Sequence, residues 1–240
     1  MSVKNKVVLV SGANRGIGAA TVKELLRADV LKIYAGARDT ASLPDFGDER
    51  IVPVQLDVTD QASIDRAAAA AGDIDILLNN AGTLGMTDFI TTPLDELNAD
   101  MRTNFYGTLH VLRAFAPALL AKGSGTIVNI VSISGLVATP PLSAYSASKA
   151  ALHSLTQTLR MTLKQSGIDV LGVYPGPVDT DMAKNIPLAK VSPEHVAANI
   201  VQGIANGDAF IFPDPTAQQI QHLWENEGRR LEDVIASMLG

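Results

Sequence analysis

Apolar and polar positions fall into alternating blocks along this chain. Short runs rich in β-branched residues recur at Lys6–Ser11, Leu31–Ala37, Ile51–Leu56, Ile74–Leu78, Gly125–Ser132, Ile168–Tyr174 and Phe210–Phe212. Apolar runs of this length, bounded by Gly, Asn, Asp or Pro, read as strands buried on both faces. Between them the period changes to that of a helix: Ala19–Leu26, the alanine-rich stretch after Asp60, Leu94–Leu120, Ala144–Gln165, Pro193–Ala205 and Thr216–Met238. Thr59 or Asp60 caps the alanine-rich helix. Asp45–Arg50 is loop-like and leaves no room for a long helix between the second and third strands. Alternation of this kind, without a linker or an internal repeat, predicts an α/β fold: a single Rossmann-type doubly wound domain over residues 1–240. Its sheet is expected to be mostly parallel, of about seven strands flanked by helices, with right-handed crossovers. Residues 181–191 read as a short substrate loop and residues 213–240 as a helical tail.

Composition narrows the function classes. Hydrophobic residues make up 47% of the chain and charged ones 18%, which suits a globular enzyme and argues against disorder. A net charge of −6 argues against nucleic acid and anionic membrane surfaces as partners. The chain has no cysteine, which removes disulfides, thiolate nucleophiles and cysteine-ligated metals. Its 4 histidines are scattered without H-x-x-x-H spacing, so no metal site is predicted. The first apolar run, Val7–Val10, is too short for a signal-peptide core, and the apolar helix near Leu109–Ala121 is interrupted by Arg113 and Pro117. A soluble cytoplasmic protein is expected.

The first strand runs into Gly12-Ala13-Asn14-Arg15-Gly16-Ile17-Gly18 and then a helix. Glycines let a backbone approach a pyrophosphate, and the helix N-terminus offers free N–H donors and a favourable dipole. The spacing is G-x-x-x-G-x-G, not the general dinucleotide fingerprint, and a glycine turn closing a strand–helix corner is the plainer reading. At the end of the second strand, Ala37-Arg38 presents an arginine where a carboxylate would bind the ribose of NAD, which favours a 2′-phosphate and NADP(H). Arg15 is also available, while Asp39 is counter-evidence. Asp57-Val58, Asn79-Asn80-Ala81-Gly82 and Pro175-Gly176-Pro177-Val178-Asp179-Thr180 lie at further strand ends, where open α/β sheets bind ligands. Tyr145 and Lys149 share one helix face, and a nearby cation lowers a phenol's pKa, so the pair reads as a tunable acid/base. Ser132, at a strand end, can reach the same pocket, with Ser134 as its rival. Asn104, mid-helix, either faces solvent or holds a water.

Taken in order and spacing, Gly12-x-x-x-Gly16-x-Gly18, Asn79-Asn80-Ala81-Gly82, Asn104, Ser132, Tyr145-x-x-x-Lys149 and Pro175-Gly176 resemble the short-chain dehydrogenase/reductase family over residues 6 to about 182. Ala37-Arg38 is similar to its NADP(H)-preferring carbonyl reductases. The resemblance implies that Tyr145 is the general acid, that Lys149 lowers its pKa and holds the nicotinamide ribose, and that Ser132 polarises the carbonyl. Asn104 would hold a water linking Lys149 to solvent. The glycine loop, Gly12 to Gly18 with Asn14, Arg15 and Ile17, would bind the pyrophosphate. Asp57 with Val58 would hold the adenine, and Asn79, Ala81 and Gly82 the adenosine side. Val178 and Thr180 would position the carboxamide beside Pro175 and Gly176. The chain departs from the family in Ser11, where threonine is usual, in a short substrate loop, and in a tail without a glycine-rich end.

The tail carries Ile220, Leu223, Trp224, Leu231, Val234, Ile235 and Met238 at helical spacing, for core packing or for a homodimer or homotetramer interface. Leu84, Met86, Leu136, Val137, Met182, Ile186 and Leu188 are expected to line the substrate pocket. No arginine or lysine stands in 83–90 or 133–144 to pair with a substrate anion. The expected reaction is NADPH-dependent reduction of an uncharged, fairly hydrophobic ketone or aldehyde. The alternatives are an NADH-dependent hydroxysteroid or sugar-alcohol dehydrogenase, and a catalytically idle cofactor-binding sensor.

Overall fold

Seven strands form one sheet: β1 (Val7–Ser11), β2 (Lys32–Ala37), β3 (Ile51–Gln55), β4 (Ile76–Asn79), β5 (Gly125–Ile130), β6 (Ile168–Val173) and β7 (Phe210–Ile211). Their order is β3-β2-β1-β4-β5-β6-β7, and the expected mostly parallel sheet is parallel in every pairing. The computed structural model describes residues 2–239; the side chains of Arg229, Ala236, Met238 and Leu239 lie outside the description.

The β-branched runs become strands because both faces of the sheet are covered. Val8 and Val10 pack under α1 (Gly16–Arg27) and α6 (Pro193–Asn206), with Val22, Leu25, Val196 and Ile200. Val7 and Leu9 point the other way, toward Ile64 of α2 (Gln61–Ala70) and Phe115 and Leu119 of α4 (Thr108–Lys122). The edge strand β3 is the most exposed, and it is there that Pro53, which lacks an N–H, is tolerated. Of the two caps considered for α2, Asp60 serves: its carboxylate accepts from Ala62 N. The order reverses between β1 and β4, and a crevice opens beyond the carboxyl ends of strands at such a switch point.

Three elements differ from the sequence expectation. The helix foreseen over Leu94–Leu120 is α3 (Leu94–Asp100) and α4 joined by a wide π-turn, Met101–Gly107, which carries Asn104. Gly107 lets that turn press on Val58, where a Cβ would come within 2.8 Å of the valine side chain. The tail is two helices, α7 (Pro215–Glu227) and α8 (Leu231–Leu239), interrupted at Gly228–Arg230, since glycine is a poor helix former. The fourth strand begins at Ile76, and just before it Asp75 accepts from Val7 N through its carboxylate at 2.8 Å.

The tail stripe turns inward. Ile220, Leu231 and Ile235 are buried with Val137, and Leu223 and Trp224 pack against them. The Met238 side chain lies outside the described residues. No helix among the described residues is long and apolar enough to cross a membrane.

Beneath α5 (Ser143–Leu163) a buried polar chain crosses the sheet: Asn79 Nδ2 donates to Asn129 Oδ1, and Asn129 Nδ2 donates to Thr156 Oγ1, each at 2.9 Å. Asn79 Oδ1 has no hydrogen-bond partner among the described residues. An unmade bond in so dry a place carries the full desolvation cost. Asn129→Ala should therefore destabilise the fold by about 2 kcal/mol, seen as a lower urea midpoint at unchanged slope.

Candidate active site

At the end of β1 the chain turns through Gly12, whose φ of +68° suits glycine. Gly18 permits an even closer approach, since a Cβ there would sit 2.1 Å from Gly12 O. The first turn of α1 has no side-chain cap, so its N–H groups face the cleft with the helix dipole behind them. Asn80 fixes the loop from below: its Nδ2 donates to Ser11 O and Gly12 O, both at 3.0 Å. Ser11 Oγ in turn accepts from the N–H of Asn80 and of Ala81. The hydroxyl that serine shares with threonine is thus the functional part of that residue.

One cleft of about 640 Å³ runs from this loop across the sheet edge. Of the expected cofactor residues, Gly12, Asn14, Arg15, Gly16, Ile17, Arg38, Asp57, Val58, Ala81, Gly82, Pro175, Gly176, Val178 and Thr180 line it. Gly18 and Asn79 do not. Gly18 packs behind the loop, and strand alternation sends Asn79 to the opposite side from Asn80, into the buried chain with Asn129. Asn80, its neighbour, does line the cleft. Asp39, the counter-evidence at the ribose, caps the turn Thr40–Ser42 by accepting from Ala41 N at 2.9 Å. Arg15 reaches across the mouth to Asp181, 3.1 Å away, with both side chains largely exposed. Asp214, which the sequence reading did not single out, holds the far wall: it accepts from Gly176 N at 2.8 Å and caps α7 through Ala217 N.

The first turns of α5 bring Tyr145 and Lys149 to the cleft floor, opposite Ser132. Both are buried. Burial pushes the Tyr145 phenol up to about 12, against a hydrogen bond with Ser132 that lowers it, while Asp100 adds to the rise. Burial also pushes the Lys149 ammonium down to about 8, with Asp100 opposing. The effect that opposes burial at the phenol comes from Ser132, where the sequence reading expected it from Lys149. Lys149 Nζ sits over the Tyr145 ring, 5.6 Å from its centroid, and donates to Ile130 O at 2.8 Å. Ser132 Oγ also accepts from Ser134 N at 3.1 Å and lies 3.4 Å from Pro175 O. Ser134, the rival, thus supports Ser132 through its backbone.

Asn104 lies behind the wall rather than on it and is fully buried. Its Oδ1 accepts from Thr83 N, and its Nδ2 donates to Thr83 O and Ser148 Oγ. Both Nδ2 hydrogens and one Oδ1 lone pair are thus bonded to protein, and burial replaces the solvent-facing position considered from sequence.

Leu84, Met86, Met182, Ile186 and Leu188 line the substrate end as expected, whereas Leu136 and Val137 do not. The turn Ile133–Gly135 directs those two onto the tail, and Val137 is buried against Ile220 and Ile235. Thr216, Ile220 and Ile235 of the tail take their place on the cleft wall. Sequence periodicity flagged Ile220 and Ile235 only as a helical stripe. Among the described residues no cluster of three or more His, Cys, Asp or Glu side chains is placed to hold a metal.

Comparison with known proteins agrees with this geometry. The family model for short chain dehydrogenases matches residues 6–190. An uncharacterized oxidoreductase of Staphylococcus epidermidis is 34% identical over 212 residues, covering 84% of this chain and 92% of that protein. Another, from Staphylococcus aureus, is 32% identical over 222 residues, covering 81% and 95%. A short chain dehydrogenase from Burkholderia cenocepacia, solved in complex with NADP, superposes with a TM-score of 0.92 at 34% identity, over 98% of this chain and 99% of that one. A second, from Streptomyces avermitilis, gives a TM-score of 0.84 at 29% identity, over 95% and 96%. With a matching family model over most of its length, relatives covering more than four-fifths of it and a cleft built at the sheet's switch point, the chain belongs to the short-chain dehydrogenase/reductase family of oxidoreductases.

Proposed function

We propose that this chain catalyses the reversible, NADP(H)-dependent reduction of uncharged, fairly hydrophobic ketones or aldehydes, with Tyr145 as the general acid. The observation that carries this reading is the buried Tyr145 phenol, hydrogen-bonded to Ser132 on the floor of a cleft whose other end is an uncapped glycine loop.

The cleft residues fit a dinucleotide. Gly12 and Gly16 both hold positive φ, and a Cβ on Gly12 would come within 2.9 Å of Ala81 Cα, so the loop keeps its tight turn beside the uncapped helix only while it stays glycine. The helix N–H groups of Gly16 and Ile17 would hold the pyrophosphate, with Asp57 and Val58 flanking the adenine and Val178 and Thr180 the carboxamide. Arg38 lines the cleft with no side-chain partner among the described residues, while Asp39 is occupied as a cap. That contrast supports a 2′-phosphate, and so does the NADP bound to the Burkholderia relative. The cofactor supplies the hydride.

The protein supplies a proton and orientation. Tyr145 keeps its proton at neutral pH and gives it up from Oη to the carbonyl oxygen as negative charge develops there. Ser132 Oγ donates a second hydrogen bond to the same oxygen. Lys149 spends one of three N–H donors on Ile130 O, leaving two for the ribose. The apolar side chains Leu84, Met86, Ile186 and Leu188 exclude water and favour neutral substrates.

Tyr145→Phe should lower kcat by about 10²–10⁴-fold while the dissociation constant for NADPH, read by fluorescence, stays near wild type. Retained turnover would remove Tyr145 from its role. Arg38→Asp should shift the NADPH/NADH ratio of kcat/KM toward NADH, and an unchanged ratio would reassign the 2′-phosphate to Arg15. Because Lys149 loses its charge near pH 8 and Tyr145 only near 12, reduction should be level through neutral pH and decline above about pH 8. A profile level to pH 10 would contradict that assignment.

A further inference from the structure

Asp100 is buried, only 2% exposed, and the mechanism above leaves it without a task. It ends α3 where the π-turn begins, four residues before Asn104, so the two side chains leave one helical face together. Both reach the same short segment. Asp100 Oδ1 accepts from Thr83 Oγ1 at 2.7 Å, and Oδ2 accepts from Gly85 N at 3.0 Å. Asn104 takes Thr83 N and Thr83 O. The segment between the Asn80–Gly82 turn and Met86 is therefore clamped from behind by two residues, with Leu84 and Met86 projecting into the cleft.

The clamp also abuts the proton-transfer pair. A Cβ on Gly82 would lie 3.0 Å from Asn104 Oδ1 and 3.8 Å from Lys149 Nζ, so only a bare backbone separates the clamp from the ammonium. Asp100 acts on Tyr145 and Lys149 of α5, which packs against its helix; Asp95, Glu96 and Arg102 share its own helical run and Asp88 precedes that run. The last four are exposed, and Arg102 donates to Asp95 O. Asp100 is the charged group that acts on both Tyr145 and Lys149, and it favours the protonated form of each. In a dry site such a charge is poorly screened.

We propose that Asp100 is a positioning residue for proton transfer at Tyr145, clamping the Thr83–Gly85 wall and holding a buried negative charge against the Tyr145–Lys149 pair. The inference rests on the reading of Tyr145 as proton donor. It separates two effects that a merely structural carboxylate would not show together. Loss of the clamp loosens Leu84 and Met86 and raises KM. Loss of the charge makes both groups release their protons more readily, so the alkaline limb of reduction moves to lower pH.

The test is the pH dependence of kcat and KM for NADPH-driven reduction of a neutral aryl ketone by wild type, Asp100→Asn, Asp100→Glu and Thr83→Val. Asp100→Asn should move the alkaline limb down by about one pH unit and raise KM several-fold. Thr83→Val should raise KM with the limb in its wild-type place. Asp100→Glu keeps the charge, covers the case in which the Asn variant fails to fold, and should also leave the limb in place. A limb unmoved in Asp100→Asn, or moved equally in Asp100→Glu, would overturn the proposal. Turnover surviving in Tyr145→Phe would instead overturn the reading beneath it, so the two failures are distinct.

Discussion

Every strand of a parallel sheet ends with backbone groups that the next strand no longer pairs, and buried polar groups of this kind must find partners. In this protein polar side chains meet that need at the carboxyl ends of β1, β4, β5 and β6. Asn80 takes the carbonyls of Ser11 and Gly12, Lys149 takes Ile130 O, and Asp214 takes Gly176 N. Asn104 and Asp100 do the same for the segment after β4. The cleft is what remains between loops pinned in this way. Its rigidity and its chemistry come from one set of bonds, which is why so many of its polar residues have fold and function as inseparable roles.

At the cleft floor a second balance operates. Taking Tyr145 and Lys149 out of water favours the neutral form of each; hydrogen bonding from Ser132 opposes this at the phenol, while the charge of Asp100 reinforces it at Tyr145 and opposes it at Lys149. Desolvation wins for both. A phenol in that state is a better proton donor at rest than a base.

Much of this was legible in the sequence because its signals are local. Strands buried on both faces leave unbroken apolar runs, and Tyr145 and Lys149 are bound to share a face wherever their helix goes. What was not legible depends on which way a side chain turns after an element ends. Asn79 and Asn80 are equivalent as letters, yet strand alternation gives one to the core and the other to the glycine loop. Leu136 and Val137 sit beside the motif but are drawn away by the tail, whose Ile220 and Ile235 replace them. Nothing nearby in sequence announces the distant backbone that Asp100 and Asp214 each hold.

The strand order has a consequence for how the chain comes to be folded. β1 is hydrogen-bonded to β2 on one side and β4 on the other, so one of its edges stays bare until Ile76–Asn79 has been synthesised. Until then Val8, Leu9 and Val10, fully buried in the finished protein, adjoin an open edge that another chain could pair with. Asn80 follows immediately after β4, and its bonds to Ser11 and Gly12 seal the glycine loop in the same step that closes the edge. Closing β1 in this way passes the open edge on to β4, which is covered only by Gly125–Ile130.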